Sequence, residues 1–347
     1  MKMKCFTKIL TVFLLLFLVS CKSTPPKTEI DNDDEEVIAD LPISMPKPGE
    51  PLPVSAFGEI WGYVVVGREA GLVNNLPLSD IGYFSAEIDT YGKLTDVPIR
   101  RNLKFSGRVH LVVVCNSRSL THFVLNPENS YRKELIADLL SAVKDFDGLQ
   151  IDFENIPGRD VDTFLSFLKE LRKGLPSDKM FTIALPARTK KIKDDQYDYE
   201  KIKPYVDRIL VMAYDEHWSG SKPGSVASMR WCKQVAEYSL NVIGKEKLIM
   251  GLPFYGRAWG DYNPSRALIY TTTEKIIDEH SVKEIRRENG IPVFEYRKNV
   301  SIIVYYEDAY SLCTRMEMYK AMGVASIGFW RLGQETPEVW DYLKLEK

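Results

Sequence analysis

Apolar runs and amphipathic segments alternate along the chain from residue 59 onward. Eight runs rich in β-branched and aromatic residues, each bounded by turn residues, predict strands over Ile60–Val66, Ile81–Ser85, Val109–Cys115, Gly148–Phe153, Phe181–Leu185, Ile209–Ala213, Leu248–Leu252 and Val324–Phe329. Apolar residues at helical spacing predict helices between them, most clearly over Tyr131–Lys144, Val161–Gly174, Met229–Val242 and Glu307–Met322.

This alternation is typical of a parallel sheet covered by helices on both faces. Eight strand–helix units in about 290 residues fit an α/β fold of the (β/α)8 barrel type. A doubly wound open sheet is the alternative, but no Gly-rich phosphate loop follows the first strand. The interval between the seventh and eighth strands is unusually long, and predicts a small α+β insertion over about 260–306 on the barrel rim. Its expected elements are short strands at Leu268–Thr272, Val293–Tyr296 and Ser301–Tyr306 and a helix at Thr273–Asn289.

The N-terminus has the layout of a signal peptide over residues 1–20. Three lysines precede the apolar run Ile9–Val19, which is short for a membrane span. The run ends in Leu-Val-Ser-Cys, which resembles a bacterial lipobox and implies cleavage before Cys21 and lipid attachment there. An ordinary signal peptide or a membrane anchor is the alternative. We therefore expect a lipid-anchored protein of the cell envelope that faces the periplasm or the exterior.

Residues 21–56 are expected to form a disordered tether, which leaves 57–347 for the barrel. They hold many prolines and the acidic run 31–36, and show no apolar period. The net charge is −2 without a basic stripe, so no nucleic-acid partner is expected. Cys115, Cys232 and Cys313 are widely spaced and odd in number, which argues against a disulfide framework. The four histidines are scattered, so we expect neither a metal nor another cofactor.

The stretch from Asp147 to Glu154 combines a strand pattern with acidic residues. Successive side chains of a strand point to opposite faces, so Gln150, Asp152 and Glu154 share one face. Carboxylates are costly to bury without a purpose, and barrel enzymes carry their chemistry at the carboxyl ends of strands. The alternative is an edge strand with a solvated acidic face.

The ends of three later predicted strands carry further polar and aromatic residues. The sixth strand ends in Tyr214 and Asp215, the seventh runs on through Tyr255 and Arg257, and the eighth leads into Trp330. Aromatic rings beside carboxylates suit sugars, whose rings present apolar C–H faces and hydroxyl groups together. For any single aromatic residue, packing in the core is the alternative.

These segments carry a resemblance to a known family. The segment DGLQIDFE resembles the DGxxxDxE signature of glycoside hydrolase family 18. MAYD, GLPFYGRAW and the strand that ends in Trp330 match further motifs of that family in the expected order, over about residues 58–345. MAYDEHWSGSKPG and YYEDAYSL are similar to the bacterial branch with spore-cortex and cell-wall N-acetylglucosaminidases.

The resemblance implies a role for each of the matching residues. Glu154 would be the general acid, and the substrate's own acetamido carbonyl would replace an enzyme nucleophile in a retaining, oxazolinium-type reaction. Asp152 would hold the acetamido N–H, and Tyr214 and Asp215 would hold that group from the other side. Trp330 would form the floor under the sugar. The remaining candidates for substrate contact are Gln150, Tyr255, Arg257, Trp218 and Tyr63.

Two expectations concern the acid–base groups of this site. Negative charge on Asp152 and Asp215 is expected to raise the pKa of Glu154 and keep it protonated. Gln150 stands where the family motif most often has Asp. Its amide is expected to donate a hydrogen bond that favours the charged form of Asp152.

The expected partner is a glycan that contains N-acetylglucosamine in β-1,4 linkage. A lipid anchor at the envelope favours peptidoglycan over environmental chitin. Hydrolysis of chitin or chitooligosaccharides is the first alternative. The second is a non-catalytic sugar-binding lipoprotein on the same fold, which the presence of Glu154 disfavours.

Overall fold

A computed structural model describes residues 40–47, 49–73, 75–260, 265–298 and 300–346. The predicted signal peptide, Cys21 and the first part of the expected tether lie outside these residues. The strands are β1 (Ser55–Phe57), β2 (Glu59–Val65), β3 (Asp80–Ile88), β4 (Leu94–Thr95), β5 (Arg108–Cys115), β6 (Gly148–Phe153), β7 (Met180–Pro186), β8 (Arg208–Met212), β9 (Leu248–Pro253), β10 (Tyr255–Gly260), β11 (Arg266–Ile269), β12 (Arg286–Glu288), β13 (Ile291–Arg297), β14 (Ser301–Tyr305), β15 (Ser326–Trp330) and β16 (Leu343–Leu345).

The helices alternate with the strands, as the sequence pattern predicts. They are α1 (Arg118–Leu125), α2 (Ser130–Ala142), α3 (Val161–Gly174), α4 (Tyr199–Ile202), α5 (Met229–Val242), α6 (Tyr270–Glu279) and α7 (Ala309–Ala321). None of the helices in the described part of the chain is long and apolar enough to cross a membrane.

Eight parallel strands close into a barrel. The order is β2-β3-β5-β6-β7-β8-β9-β15, and β15 pairs with β2 to complete the circle. The register continues through the central strand, where β6 pairs with β5 on one side and with β7 on the other. The predicted (β/α)8 barrel is confirmed, and the ends of each predicted barrel strand lie within three residues of the observed ones.

Alternation along the strands creates two apolar layers. Outward-facing residues such as Leu149, Ile151 and Phe153 join the large core between the barrel and its helices. A smaller cluster fills the barrel interior, and its largest members are Trp61 and Tyr63. The predicted two faces of β6 are therefore present, with Gln150 and Asp152 on the interior side.

The insertion between β9 and β15 is an antiparallel sheet in the order β11-β10-β14-β13-β12. Helix α6 packs on one face of this sheet, through Ile276 and Phe294 among others. The predicted helix was too long, because Ser281 takes a left-handed conformation (φ 49°) soon after α6 ends and the chain then enters β12. Strand β10 was missed as a strand because its residues belong to a motif that we assigned to the end of β9.

The last part of the expected tether lies against the barrel. Leu41, Ile43 and Leu52 pack on the outer core, and Tyr310 donates a hydrogen bond to the carbonyl of Pro46 (2.8 Å). Strand β1 pairs in parallel with β16. The expectation of disorder up to residue 56 was wrong for residues 40–47 and 49–56. These few apolar residues have no period, but each one finds a place on a surface that the rest of the chain provides.

The amino-terminal end of the barrel carries a network of paired charges. Arg108 donates to Asp80 (2.7 and 2.8 Å) and to Glu59 (3.0 Å), and Arg208 donates to Glu59 (2.9 and 3.0 Å). His110 adds a further contact to Asp80 (2.7 Å). The three cysteines that were expected to remain unpaired are free thiols, and all are buried.

Candidate active site

The acidic face of β6 rises from the barrel interior to its carboxyl-terminal mouth. Gln150 is fully buried, Asp152 is 7% exposed, and Glu154 lies just past the strand end with its side chain exposed. The helices outside hold the strand in place, since Phe153 stacks on Phe167 with ring centroids 5.9 Å apart. The sequence therefore delivers one carboxylate to the mouth and a second one just below it.

Gln150 does not bind Asp152, so that expectation was wrong. Its carbonyl oxygen accepts from the hydroxyl of Tyr63 (2.5 Å), and its amide donates to the hydroxyl of Thr182 (3.1 Å). Gln150 and Tyr63 are both buried. They were expected to contact substrate, but they lie in the layer beneath the site because their polar groups find partners on other strands within the barrel interior.

Asp152 is the group with an unmet hydrogen-bonding capacity. Its Oδ1 is buried and has no partner among the described residues. Burial, with the charge of Glu154 as a second cause, raises the pKa of Asp152 to about 8. Asp152 therefore carries a proton at neutral pH in this state. The sequence-based expectation of a charged Asp152 was wrong because Gln150 is not available to stabilise the anion.

The pKa of Glu154 is also raised. The surrounding protein atoms desolvate the carboxylate, and the charge of Asp215 adds to the shift. The direction agrees with the expectation from sequence, and so does the contribution of Asp215. Asp152, which was expected to contribute as well, is not among the causes of this shift in the pKa of Glu154.

Tyr197 fixes the backbone on both sides of Glu154. Its hydroxyl donates to the carbonyl of Phe153 (2.9 Å) and accepts from the N–H of Ile156 (3.1 Å). The loop that carries Tyr197 is held by Arg188, whose guanidinium binds Asp195 through two hydrogen bonds (2.6 and 3.0 Å). Sequence reasoning missed Tyr197 because it lies in a loop without any periodic signal.

Tyr214, Asp215, Tyr255 and Arg257 meet at the opposite wall of the mouth. Arg257 donates to Asp215 (2.9 Å), and the rings of Tyr214 and Tyr255 contact edge to face with centroids 6.3 Å apart. Asp215 takes a left-handed conformation (φ 59°) directly after β8, which turns the chain into this wall. Burial raises the pKa of Tyr214 well above its ordinary value, and the charges of Asp152 and Glu154 contribute. Tyr214 therefore lies near both carboxylates.

Trp330 closes β15 beside the same mouth. Its ring contacts Tyr63 (centroids 5.5 Å apart) and the edge of Phe84 (5.1 Å), and it is half-buried. Phe84 was not selected from the sequence, since nothing in its strand distinguishes it from a core residue. Trp218 lies on the loop after β8 and is 55% exposed.

A cavity of about 510 Å³ extends along the insertion from this wall. Trp259, Ser265 and the loop around Gly220 contribute to its lining. Arg257 connects it to the mouth, because its two guanidinium nitrogens reach Asp215 and Ser265 (3.4 Å). The indole N–H of Trp259 is buried and has no partner among the described residues. The expected wall of a cleft is thus formed by the interior face of the insertion.

The arrangement suits acid catalysis on a polar ring-shaped ligand. It offers an exposed carboxyl group with a raised pKa, a second carboxyl with a bare oxygen, a tyrosine beside both and an indole ring. In the described ranges, His, Cys, Asp and Glu side chains form no cluster of three or more that would hold a metal ion.

Solved structures with the same fold include two that were named for activities on different glycans. The spore cortex-lytic enzyme SleL of Bacillus cereus superposes with a TM-score of 0.76 at 21% identity, over 86% of this chain and 77% of that one. A chitinase of Chromobacterium violaceum gives a TM-score of 0.71 at 21% identity, over 82% of this chain and 97% of that one. At these identities the likeness concerns the fold.

Sequence relatives point to the same group of proteins. The uncharacterized glycosylase YvbX of Bacillus subtilis is 30% identical over 207 residues, which cover 57% of this chain and 60% of YvbX. The cortical fragment-lytic enzyme of Bacillus anthracis is 24% identical over 290 residues, 77% of this chain and 67% of that enzyme. The chain thus spans about three fifths of YvbX. The family model of glycosyl hydrolases family 18 matches residues 109–335, more than half of the chain, and the protein therefore belongs to that family.

Proposed function

We propose that this protein hydrolyses β-1,4 linkages next to N-acetylglucosamine, with Glu154 as the general acid. The observation that carries the proposal is the position of Glu154, at the barrel mouth with a raised pKa and two residues after Asp152, whose buried Oδ1 has no partner among the described residues. A proton donor must reach the leaving oxygen, and a raised pKa favours the protonated form of a carboxyl group.

The carboxylate pair distributes its proton according to what it binds. In the free protein the raised pKa of Asp152 favours its protonated form. An acetamido N–H that donates to the bare Oδ1 would favour the ionised form of Asp152, and the proton would then reside on Glu154. Binding would thereby protonate Glu154, the general acid, and would leave a negative charge on Asp152 near the sugar, which becomes positively charged during the reaction.

The proposed reaction proceeds in two balanced steps. The acetamido carbonyl oxygen bonds to the anomeric carbon while the glycosidic C–O bond breaks, and the proton of Glu154 goes to the leaving oxygen. Water then attacks the anomeric carbon of the oxazolinium intermediate, the bond from that carbon to the acetamido oxygen breaks and restores the acetamido group, and Glu154 takes the proton that water loses. Tyr214 and Asp215 would hold the acetamido group, and Trp330 would lie under the sugar ring.

We propose peptidoglycan as the substrate, with chitin-type glycans as the second candidate. The name of the Bacillus anthracis relative as a cortical fragment-lytic enzyme supports the first. The chitinase fold at a TM-score of 0.71 supports the second. The lipobox-like sequence at Cys21 supports attachment to an envelope membrane, which would place the enzyme beside peptidoglycan.

The test uses the protein and its Glu154→Gln variant with purified peptidoglycan and with chitin oligosaccharides. Mass spectrometry identifies the new reducing ends. We expect N-acetylglucosamine ends from peptidoglycan that disappear in the variant. Cleavage of chitin oligosaccharides alone would move the substrate to chitin-type glycans. Tight binding of glycan by both forms without any cleavage would contradict hydrolysis and indicate a sugar-binding protein.

A further inference from the structure

A second cavity lies on the rim next to Glu154 and is separate from the wall formed by the insertion. It measures about 420 Å³ and is lined by Arg118, Ser119 and the turn Pro157-Gly158-Arg159. Arg118 begins α1, which follows β5, and the turn follows β6. Both connections leave the carboxyl ends of adjacent barrel strands, so the cavity opens at the catalytic end of the barrel.

The cavity is close to the proposed acid. Pro157 is three residues after Glu154, so their Cα atoms are at most about 11 Å apart. Asn155, between them, donates from its side-chain amide to the carbonyl of Asn116 (2.9 Å). This hydrogen bond links the connection that follows β6 to the one that follows β5, and these two connections line the cavity. A substituent on a glycan bound at Glu154 therefore needs to span about 10 Å to reach this cavity.

The two arginines have no counter-charge. Among the residues with described positions, neither Arg118 nor Arg159 forms a hydrogen bond or an ion pair, and both are exposed. Asp160 follows Arg159 directly, but its carboxylate binds His122 on α1 (2.8 and 2.9 Å). Two guanidinium groups on one cavity repel each other, and an anion between them would remove that repulsion.

Helices α1 and α3, which begin at or just after the two arginines, are held together by hydrogen bonds in the absence of ligand. The His122–Asp160 contact joins α1 to the start of α3. Buried Arg132 donates to the carbonyl of Leu125 (2.9 Å) at the end of α1 and to the hydroxyl of Ser166 (2.8 Å) on α3. The backbone that presents both guanidinium groups is therefore fixed, which reduces the entropy lost when an anion binds.

We propose that Arg118 and Arg159 bind a carboxylate of an acidic peptide attached to the substrate glycan. The inference deepens the proposed function and rests on it. Guanidinium groups pair with carboxylates through two parallel hydrogen bonds, and a cavity of this size is within the range of small-ligand pockets, about 300–1,000 Å³. Chitin carries no anionic group, so the site discriminates peptide-bearing peptidoglycan from neutral N-acetylglucosamine polymers.

The test compares Arg118→Gln, Arg159→Gln and the double variant with Arg101→Gln. Arg101 is an exposed arginine without a described partner, on the connection between β4 and β5. Initial rates are measured on peptidoglycan, on the same glycan stripped of its peptides by an amidase and with the lactyl carboxyl groups thereby freed converted to amides, and on chitin oligosaccharides. We expect the double variant to raise KM for the peptide-bearing glycan about 10-fold with kcat unchanged. The stripped glycan and chitin oligosaccharides keep their KM, and Arg118→Lys with Arg159→Lys restores part of the loss.

The outcome is separable from that of the proposed function. Loss of the KM difference between peptide-bearing and stripped glycan in the double variant supports the site. An equal change on all three substrates, no change on any of them, or the same change in Arg101→Gln would overturn it. If the wild-type protein cleaves none of these glycans, the proposed function fails by itself. Calorimetric binding of soluble peptide-bearing fragments to wild type and double variant then decides on the arginines, and equal affinities would refute the site.

Discussion

The two ends of the barrel treat their charged groups in opposite ways. At the amino end, Glu59 and Asp80 are both held by arginines at 2.7–3.0 Å. At the carboxyl end, an oxygen of Asp152 and the guanidinium groups of Arg118 and Arg159 have no partner among the described residues. The same residue types thus stabilise the fold at one end and remain available at the other.

The difference teaches where a substitution will be felt. Removal of one member of a satisfied, buried network strands its partners and lowers the free energy of unfolding. Removal of a group that has no partner strands nothing, and relieves repulsion or desolvation instead. Changes to the paired charges at the amino end should therefore reduce stability, and changes to the unpartnered groups at the carboxyl end should reduce activity with stability kept or increased.

The largest effect is expected for Glu154→Gln. The amide cannot donate a proton to the leaving oxygen, so kcat should fall by about 10³-fold or more. The melting temperature should stay the same or rise slightly, because Glu154 is desolvated and near Asp215. Initial rates and thermal unfolding check both parts. A variant that unfolds markedly earlier than wild type would contradict the comparison of the two ends.

At the other end, Asp80→Ala should lower the free energy of unfolding by about 2–4 kcal/mol. Asp80 is fully buried, and its loss leaves His110 without its carboxylate and Arg108 with Glu59 alone. Urea denaturation measures this change. The kcat of the remaining folded protein should match that of wild type, and a selective loss of kcat would argue against a purely stabilising network.

The raised pKa of Asp152 predicts a dependence of stability on pH. The native state binds the proton more tightly than the unfolded state, so stability is fully present below pH 4 and is lost as pH rises through about 8. Asp152→Asn removes this loss and should gain on the order of 1–3 kcal/mol over wild type at pH 8.5. Urea titrations at pH 5 and pH 8.5 measure it. Equal pH slopes for the two proteins would show that Asp152 is not the buried proton carrier.

A smaller effect is expected for Tyr197→Phe. The change removes two hydrogen bonds that hold the backbone beside Glu154, at a cost of about 1–2 kcal/mol in stability. Looser placement of the acid should also lower kcat by about 10-fold with little change in KM. Tyr205→Phe serves as a matched control, since Tyr205 lies on the connection before β8. Comparable kcat values for Tyr197→Phe and Tyr205→Phe would contradict a role of Tyr197 in positioning Glu154.

The pattern of apolar residues predicted the barrel well, because each strand is a short apolar run bounded by turn residues. The interior face of β6 followed from side-chain alternation alone, and so did the position of Asp152. The hydrogen-bond partners of Gln150 could not be predicted in this way, since Tyr63 and Thr182 come from strands far apart in sequence. Tyr197 and the arginine cavity depend on loops, whose course is set by tertiary contacts that no periodicity encodes.

The buried cysteines bear on how the protein withstands oxidants. Burial raises the pKa of Cys232 to about 11 and that of Cys313 to about 12, and it also raises the pKa of Cys115. The thiolate is the form that reacts, and at pH 7 the fraction of Cys232 in that form is about 10⁻⁴. These sulfur atoms are shielded from solvent, and they react slowly because little thiolate is present. The fold can therefore persist in an oxidising compartment without a disulfide and without a reductase to maintain it.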